Sequence, residues 1–416
     1  MTRSRVLLLG GDRALLATAR SLHRHRVPYV VASIPRSSMV GVSRFVRPFL
    51  VGPGPDPGSD PDAYTAFVLE AVEAHDVGLV LPITDRTMFA CTQRRQELEA
   101  HVRVAAAPAG AVENVLDKRL NLETAQRLGI PCPAQFELER IEQLPELVEE
   151  LGFPLVLKNP GPAGGRSPFR FRWLVARDED ELRAHIAQHC PPGVFPLFQR
   201  MVTGDVRNVC CFACDGQVVA AHEYRSVRRL RGMATFREIT PLSPDLKSYA
   251  EAMLGELRWD GAAHVGFFVR KSDGDARYME TNGRVWASLQ GSVAAGWDFP
   301  HWTYRYFMHA ERPEPPRSVA VGRRSRWAYG DLEALVDVLA GDERAAGGRS
   351  RLRSIADYLA AYSPAVDSDV FRLDDPAPQV VEHWLAGKAA ARRLLRPVKR
   401  RAVGWATRHG LLPSEP

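Results

Sequence analysis

Apolar residues in the first hundred positions follow two rhythms. Short unbroken runs at Arg5 to Leu9, Tyr29 to Ser33, Val77 to Leu81 and Val102 to Ala105 read as buried strands. Between them, Arg13 to His25 and Asp62 to His75 carry their apolar residues at helical spacing. Strands alternating with helices predict a parallel, doubly wound sheet of α/β type. The stretch Gly52 to Pro61 interrupts both rhythms with glycine, proline and aspartate, and reads as a loop.

From Val115 the pattern changes to α+β. A helix over Asp117 to Leu128 closes at Gly129, and Ile130-Pro131-Cys132-Pro133 stops it. A second helix, Ile141 to Leu151, closes at Gly152 and leads into the strand Phe153 to Lys158. The strand Trp173 to Ala176 and the helix Glu179 to His189 follow. Strands around Arg207 to Ala213 and Gln217 to Ala221 turn at Asp215-Gly216, a strong hairpin signal. A strand near Arg237 to Ile239 and a helix over Leu246 to Leu257 come next. Ala262 to Val269 and Arg277 to Thr281 predict a second hairpin over Asp273-Gly274. After residue 311 the chain reads as helical and rich in arginine and alanine.

Bulk properties narrow the class. A chain of 416 residues implies about two to four domains. The four-residue apolar run Val6 to Leu9 is too short for a signal peptide, and no stretch of about 18 apolar residues exists for a membrane span. The expected compartment is therefore the cytoplasm, where the six cysteines stay reduced. Cys211 and Cys214 form a C-x-x-C, but on a strand they face opposite ways, which predicts buried thiols and no metal. Net charge is +6, with Lys388, Arg392, Arg393, Arg396, Lys399, Arg400 and Arg401 crowded near the end. A solvated helix explains that cluster, and no nucleic-acid partner is expected. Gly10-Gly11-Asp12-Arg13-Ala14 lacks the spacing of a dinucleotide fingerprint, and no acidic residue ends the second strand. It reads as a tight turn. The phosphate-binding P-loop pattern is absent as well.

Candidate chemistry is spread along the middle of the chain. Lys118 opens a helix, and Lys158 ends a strand beside the glycine-containing loop Asn159 to Arg166. Fixed cations and such a loop suit nucleotide phosphates. Glu280 and Asn282 project from one face of a strand end, a donor set that suits Mg²⁺ completed by phosphate oxygens.

Taken in order, these motifs resemble the ATP-grasp superfamily. The residues are Asp117-Lys118, Gly129 to Pro133, Phe153 to Lys158, Phe198 to Asp205 and Met279 to Arg284. Further likeness to predicted ATP-dependent carboxylate–amine ligases lies in Ser43 to Val46, Leu81 to Asp85, Ala294 to Pro300 and Asp374 to Pro378. The resemblance implies a Rossmann-like domain over 1–112, a small lobe over 113–196, a large lobe over 197–312 and a helical basic extension over 313–416. It implies ATP and Mg²⁺ as cofactors, with Lys118 and Lys158 on phosphates. The hinge residues Gln199, Met201 and Val202 would take adenine, and Asp205 the ribose. Glu280 and Asn282 would hold the metal, Arg284 would stabilise the transferring phosphoryl group or the acylphosphate and its adduct, and Arg229, counted as catalytic with it, would lie near the acceptor phosphates. Arg228 and Arg231 would flank Arg229, and Ser288 would touch the substrate carboxylate. The implied partners are a small carboxylic or amino acid and an amine, joined through an acylphosphate, with a homodimer compatible. Trp286, Trp297, Trp302 and Tyr304 read as core, with an acceptor pocket as the alternative.

One departure qualifies this. Gly266 stands where relatives carry another metal-binding carboxylate, 14 residues before Glu280. Asp273, Asp275 or His264 are the candidate substitutes. A nucleotide-binding pseudoenzyme or regulatory partner is the alternative reading.

Overall fold

The computed structural model describes residues 4–11, 13–161, 167–341, 349–385 and 387–388. Three sheets organise them. The first is parallel, with β1 (Arg5–Leu9), β2 (Tyr29–Ala32), β3 (Leu50–Gly52), β4 (Val77–Pro82) and β5 (Arg103–Val104) in the order β3-β2-β1-β4-β5. The chain reverses its direction of winding between β1 and β4, so their carboxyl ends flank the crevice where open α/β sheets bind ligands. Gly10 follows β1 at φ +100°, and a Cβ there would lie 2.9 Å from Thr84 Cγ2. The glycine turn therefore brings the β1 end against Thr84, as a tight turn does.

The second sheet is antiparallel and small. It holds β6 (Gln135–Glu137), β7 (Leu155–Lys158), β8 (Trp173–Ala176) and β9 (Leu197–Arg200), ordered β6-β9-β7-β8. Leu155, Leu157 and Phe198 pack into the core formed with helices Leu144–Leu151 and Glu179–His189. Strand alternation then turns Val156, Lys158 and Gln199 to the other face. β9 belongs to this sheet, so the small sheet ends at Arg200 and not at 196.

The third sheet has seven strands, β14-β13-β10-β11-β12-β15-β16. They are β10 (Asp205–Cys214), β11 (Gln217–Leu230), β12 (Met233–Thr240), β13 (Gly261–Val269), β14 (Ala276–Asn282), β15 (Arg324–Arg326) and β16 (Val366–Ser368). Both predicted hairpins form, β10–β11 and β13–β14. One face packs Val209, Cys211, Val265 and Phe267 under helix Pro244–Glu256. Cys210, Phe212 and Cys214 lie in a different cluster, so Cys211 and Cys214 do face opposite ways.

The helical reading of 313–416 holds for Ala328–Leu339 and Arg351–Ala360 but needs correction at two short strands. β15 and β16 extend the large sheet beyond β12, because Arg324 to Arg326 pair with Phe236 to Glu238. Two buried arginines fasten this segment: Arg20 of the first layer donates to Asp375 Oδ2 at 2.7 Å, and Arg237 of β12 to Asp369 Oδ1 at 2.5 Å. The basic residues from Arg392 onward lie outside the described residues. Among the described residues, no helix is long and apolar enough to cross a membrane. Trp286, Trp297 and Trp302 are buried core, and Tyr304 packs against them.

Candidate nucleotide and metal site

The site follows from strand register. In β13 and β14, Gly266 pairs with Glu280 and His264 with Asn282. In β10 and β11, Asn208 pairs with Gly266 and Tyr224, and Cys210 with His264 and His222. One face of the large sheet thus carries Tyr224, Asn208, Gly266 and Glu280 in one row. His264 and Asn282 lie in the next. Met279 is the extra residue at the irregularity between Gly266 and Phe267. It keeps Glu280 and Asn282 on that face.

Glu280 is the centre of a cationic cluster. Asn282 Nδ2 donates to its Oε1 at 3.1 Å, and Arg172 approaches the same oxygen at 3.9 Å. Burial raises the Glu280 pKa, but Arg172, Lys118, the Asn282 amide and Lys158 together outweigh burial and hold it at about 2. Glu280 is therefore ionised at neutral pH. Burial pulls the Lys158 ammonium down to about 8 against the attraction of Glu280, with Lys118 and Arg172 adding repulsion. Lys118 is lowered in the same way, chiefly by burial. Two lysines and an arginine converging on one carboxylate leave excess positive charge in the cleft.

Behind this cluster runs a neutral relay. His264 Nδ1 lies 3.4 Å from Asn282 Nδ2, and its Nε2 lies 2.9 Å from the Tyr224 hydroxyl. Ser288 Oγ donates to the same hydroxyl at 3.4 Å. Burial holds the His264 imidazole down at about 4, so the ring is uncharged. His264 thus sits at the site. Asp273 and Asp275 do not: both pair with Arg270 in the turn at the far end of the hairpin.

The residues fit a divalent cation in a limited way. Glu280 supplies a carboxylate, and Asn282 an amide oxygen beside it. Among the described residues, no group of three His, Cys, Asp or Glu can hold a metal. A Cβ on Gly266 would lie 2.5 Å from the Met279 ε-methyl and 3.2 Å from Asn208 Oδ1, so Met279 fills the space that a side chain at 266 would need. A cation here would take two protein ligands and draw the rest from phosphate and water, as Mg²⁺ commonly does.

The remaining predicted residues separate into two places. Asp205 and Arg229 line a cavity of about 570 Å³ with Thr203, Arg225, Arg270 and Lys271. Asp205 lies 3.7 Å from Arg225 and 3.4 Å from Lys271. Arg229 has no ion-pair partner among the described residues, whereas Arg228 forks onto Asp331 and Arg231 lies 3.5 Å from Asp337. In the hinge, the backbone N–H of Met201 donates to Pro154 O and that of Arg200 to Ala134 O. The Met201 N–H is therefore spoken for, whereas the Val202 N–H has no backbone partner among the described residues. Gln199 is buried within the β6–β9–β7 ladder. Arg284 forks onto Asp85. Sequence reasoning missed Arg172, and it met Asp85 only as the last residue of the Leu81 to Asp85 likeness, without giving it a role. Part of the predicted loop, 162–166, lies outside the described residues.

Known proteins share this arrangement of sheets. The biotin carboxylase domain dimer of Hydrogenobacter thermophilus 2-oxoglutarate carboxylase, solved with MgADP, ADP and bicarbonate, superposes with a TM-score of 0.61 at 15% identity, over 78% of this chain and 74% of that one. The N5-carboxyaminoimidazole synthase of Aspergillus clavatus, with ADP and 5-aminoimidazole ribonucleotide, gives 0.59 at 16% identity, over 78% and 81%. The chain has the ATP-grasp fold. Relatives by sequence include the carbamoyl phosphate synthase large chain of Methanosarcina acetivorans, 22% identical over 272 residues. Those residues are 58% of this chain and 24% of the relative. The Thermus thermophilus large chain is 32% identical over 124 residues, 29% of this chain and 12% of that one. The chain thus spans a quarter or less of the length of these relatives. No protein-family profile matches it.

Proposed function

We infer that the chain is an ATP-dependent carboxylate–amine ligase. The observation that carries this reading is an ionised Glu280 beside Asn282, surrounded by Lys118, Lys158 and Arg172. A tetraanionic nucleotide needs such excess positive charge, and the carboxylate and amide suit one Mg²⁺. In this reading 1–112 is a Rossmann-like unit that packs on the ATP-grasp lobes, and the basic extension beyond 312 begins as part of the large lobe.

A substrate carboxylate attacks the γ-phosphorus of ATP, ADP leaves, and an acylphosphate results. An amine then attacks the acyl carbon, inorganic phosphate leaves, and an amide remains. Lys118 and Lys158 hold phosphate oxygens, Asp205 and the Val202 N–H orient ribose and adenine, and Glu280 with Asn282 Oδ1 hold Mg²⁺. The metal, when bound, screens the negative charge that repels an incoming carboxylate. Arg284 neutralises charge on the transferring phosphoryl group, and Arg229 draws anionic substrate toward the cavity. No covalent protein nucleophile is needed. A small carboxylic or amino acid and an amine are the substrates this chemistry accepts, and the cytoplasm is the compartment that supplies ATP.

The test is phosphate release from ATP with pools of carboxylic and amino acids, comparing wild type with Glu280→Ala. Substrate-dependent release that falls by about 100-fold or more in the variant supports the reading. The Met279 methyl over Gly266 favours a second reading, a nucleotide-binding pseudoenzyme with an incomplete metal site. Nucleotide binding without ADP release in any pool would select it and sink the ligase.

A further inference from the structure

Arg284 is held from a different layer of the molecule. Its Nε and NH2 donate to Asp85 Oδ1 and Oδ2 at 2.6 and 2.8 Å, the forked geometry in which guanidinium and carboxylate fix one another's plane. Asp85 lies 199 residues earlier, at the start of helix Asp85–Gln93 and at the carboxyl end of β4. The two side chains are 19% and 28% exposed, shielded yet open to the cleft. Asp85 is itself immobilised. Thr84 caps the helix through a reciprocal pair with Thr87, and Gly10 lets the β1 end close against Thr84. The N-terminus of the helix further favours a carboxylate at this position.

The pair is one of several contacts between the layers. Arg20–Asp375, Arg13–Asp369 and the contacts of Arg24 and His25 with Asp298 already tie the first layer to the rest. What distinguishes Asp85 is the arginine it grips, two residues past Asn282.

We propose that Asp85 is a positioning residue that holds Arg284 in the orientation in which its guanidinium meets the transferring phosphoryl group. The first layer then completes the reactive centre of the ATP-grasp lobes. Arg284 Nη1 also donates to Val285 O at 3.1 Å, but the fork is the contact that fixes the plane of the guanidinium, and without it the charge reaches the phosphoryl group in a poorer geometry. The inference rests on the proposed function only for the placing of Arg284 at a transferring phosphoryl group, not for the carboxylate and amine, and it reaches beyond that reading by assigning Asp85.

The test uses the full chain and two probes. One is a fluorescent ADP analogue, which reports nucleotide binding. The other is ADP with Mg²⁺ and aluminium fluoride, which mimics the transferring phosphoryl group and needs no identified carboxylate. Asp85→Asn is expected to leave ADP affinity within about 2-fold and to weaken the fluoride complex on the order of 10–100-fold, the usual cost of losing an outer-shell partner. Asp85→Glu keeps the charge and recovers part of the loss. It is also the variant to read if Asp85→Asn fails to fold. Adding Asp85→Asn to Arg284→Ala is expected to change nothing further. The proposal is overturned if Asp85→Asn retains the fluoride complex, if it loses ADP to the same degree, or if the two substitutions multiply. A wild type that gains no affinity from fluoride overturns it too. If the fluoride effects appear while no carboxylate pool yields ADP, the ligase reading fails and the Asp85 assignment stands.

Discussion

Lys158 ends β7 with its ammonium buried, which brings its proton affinity down to about 8. An ordinary lysine holds its proton to about 10.4. The folded protein therefore releases this proton first, and between those values the unfolded chain binds more protons. Stability contributed at this site rises with pH across that window, while affinity for phosphate falls. ADP affinity titrated from pH 6.5 to 9.5 is expected to drop above about 8, and to stay level in Lys158→Arg. A flat wild-type profile would remove Lys158 from the phosphate site. Glu280 runs the other way, since it stays ionised down to about 2. Its contribution is complete above about 4.3 and fades only as pH falls from there toward 2. Both residues were legible in the sequence because each ends an apolar strand next to a recognisable motif. Asp85 was not, because nothing in Leu81 to Asp85 announces an arginine in a distant hairpin.

At the scale of elements, periodicity located most strands and helices to within a few residues. The helix Glu179–His189 and the two hairpins are cases in point. It failed where the element is short or its composition unusual. Arg324 to Arg326 has no apolar alternation, and it becomes a strand because β12 offers an unpaired edge. The irregularity that puts Met279 over Gly266 is likewise invisible to a period-two count. The turn after β1 is open to a direct test. Gly10→Ala would require a Cβ at φ +100° and 2.9 Å from Thr84 Cγ2. Urea unfolding is expected to show a loss of about 1–3 kcal/mol, with Gly52→Ala, where nothing lies within 4 Å, costing less. Equal losses would deny the close approach its role.

For the whole molecule, the sequence conveyed the α/β-then-α+β order and hid how the ends meet. Arg20 and Asp375 are 2% and 1% exposed, and Ser43 and the Arg44 backbone N–H donate to the same carboxylate. Removing the acid would leave a buried guanidinium without its counter-charge. Asp375→Ala is expected to cost about 3–5 kcal/mol in chemical denaturation, far more than Asp374→Ala on the surface beside it. A loss below about 1 kcal/mol would mean that the clasp is dispensable.

That clasp also sets a clock on the birth of the protein. Arg20 leaves the ribosome 355 residues before Asp375 exists. At about 5–20 residues per second, it waits roughly 18–70 s with its intended counter-charge still untranslated. The first parallel layer can form early, but this part of its seam stays unsealed until residue 375 has been made.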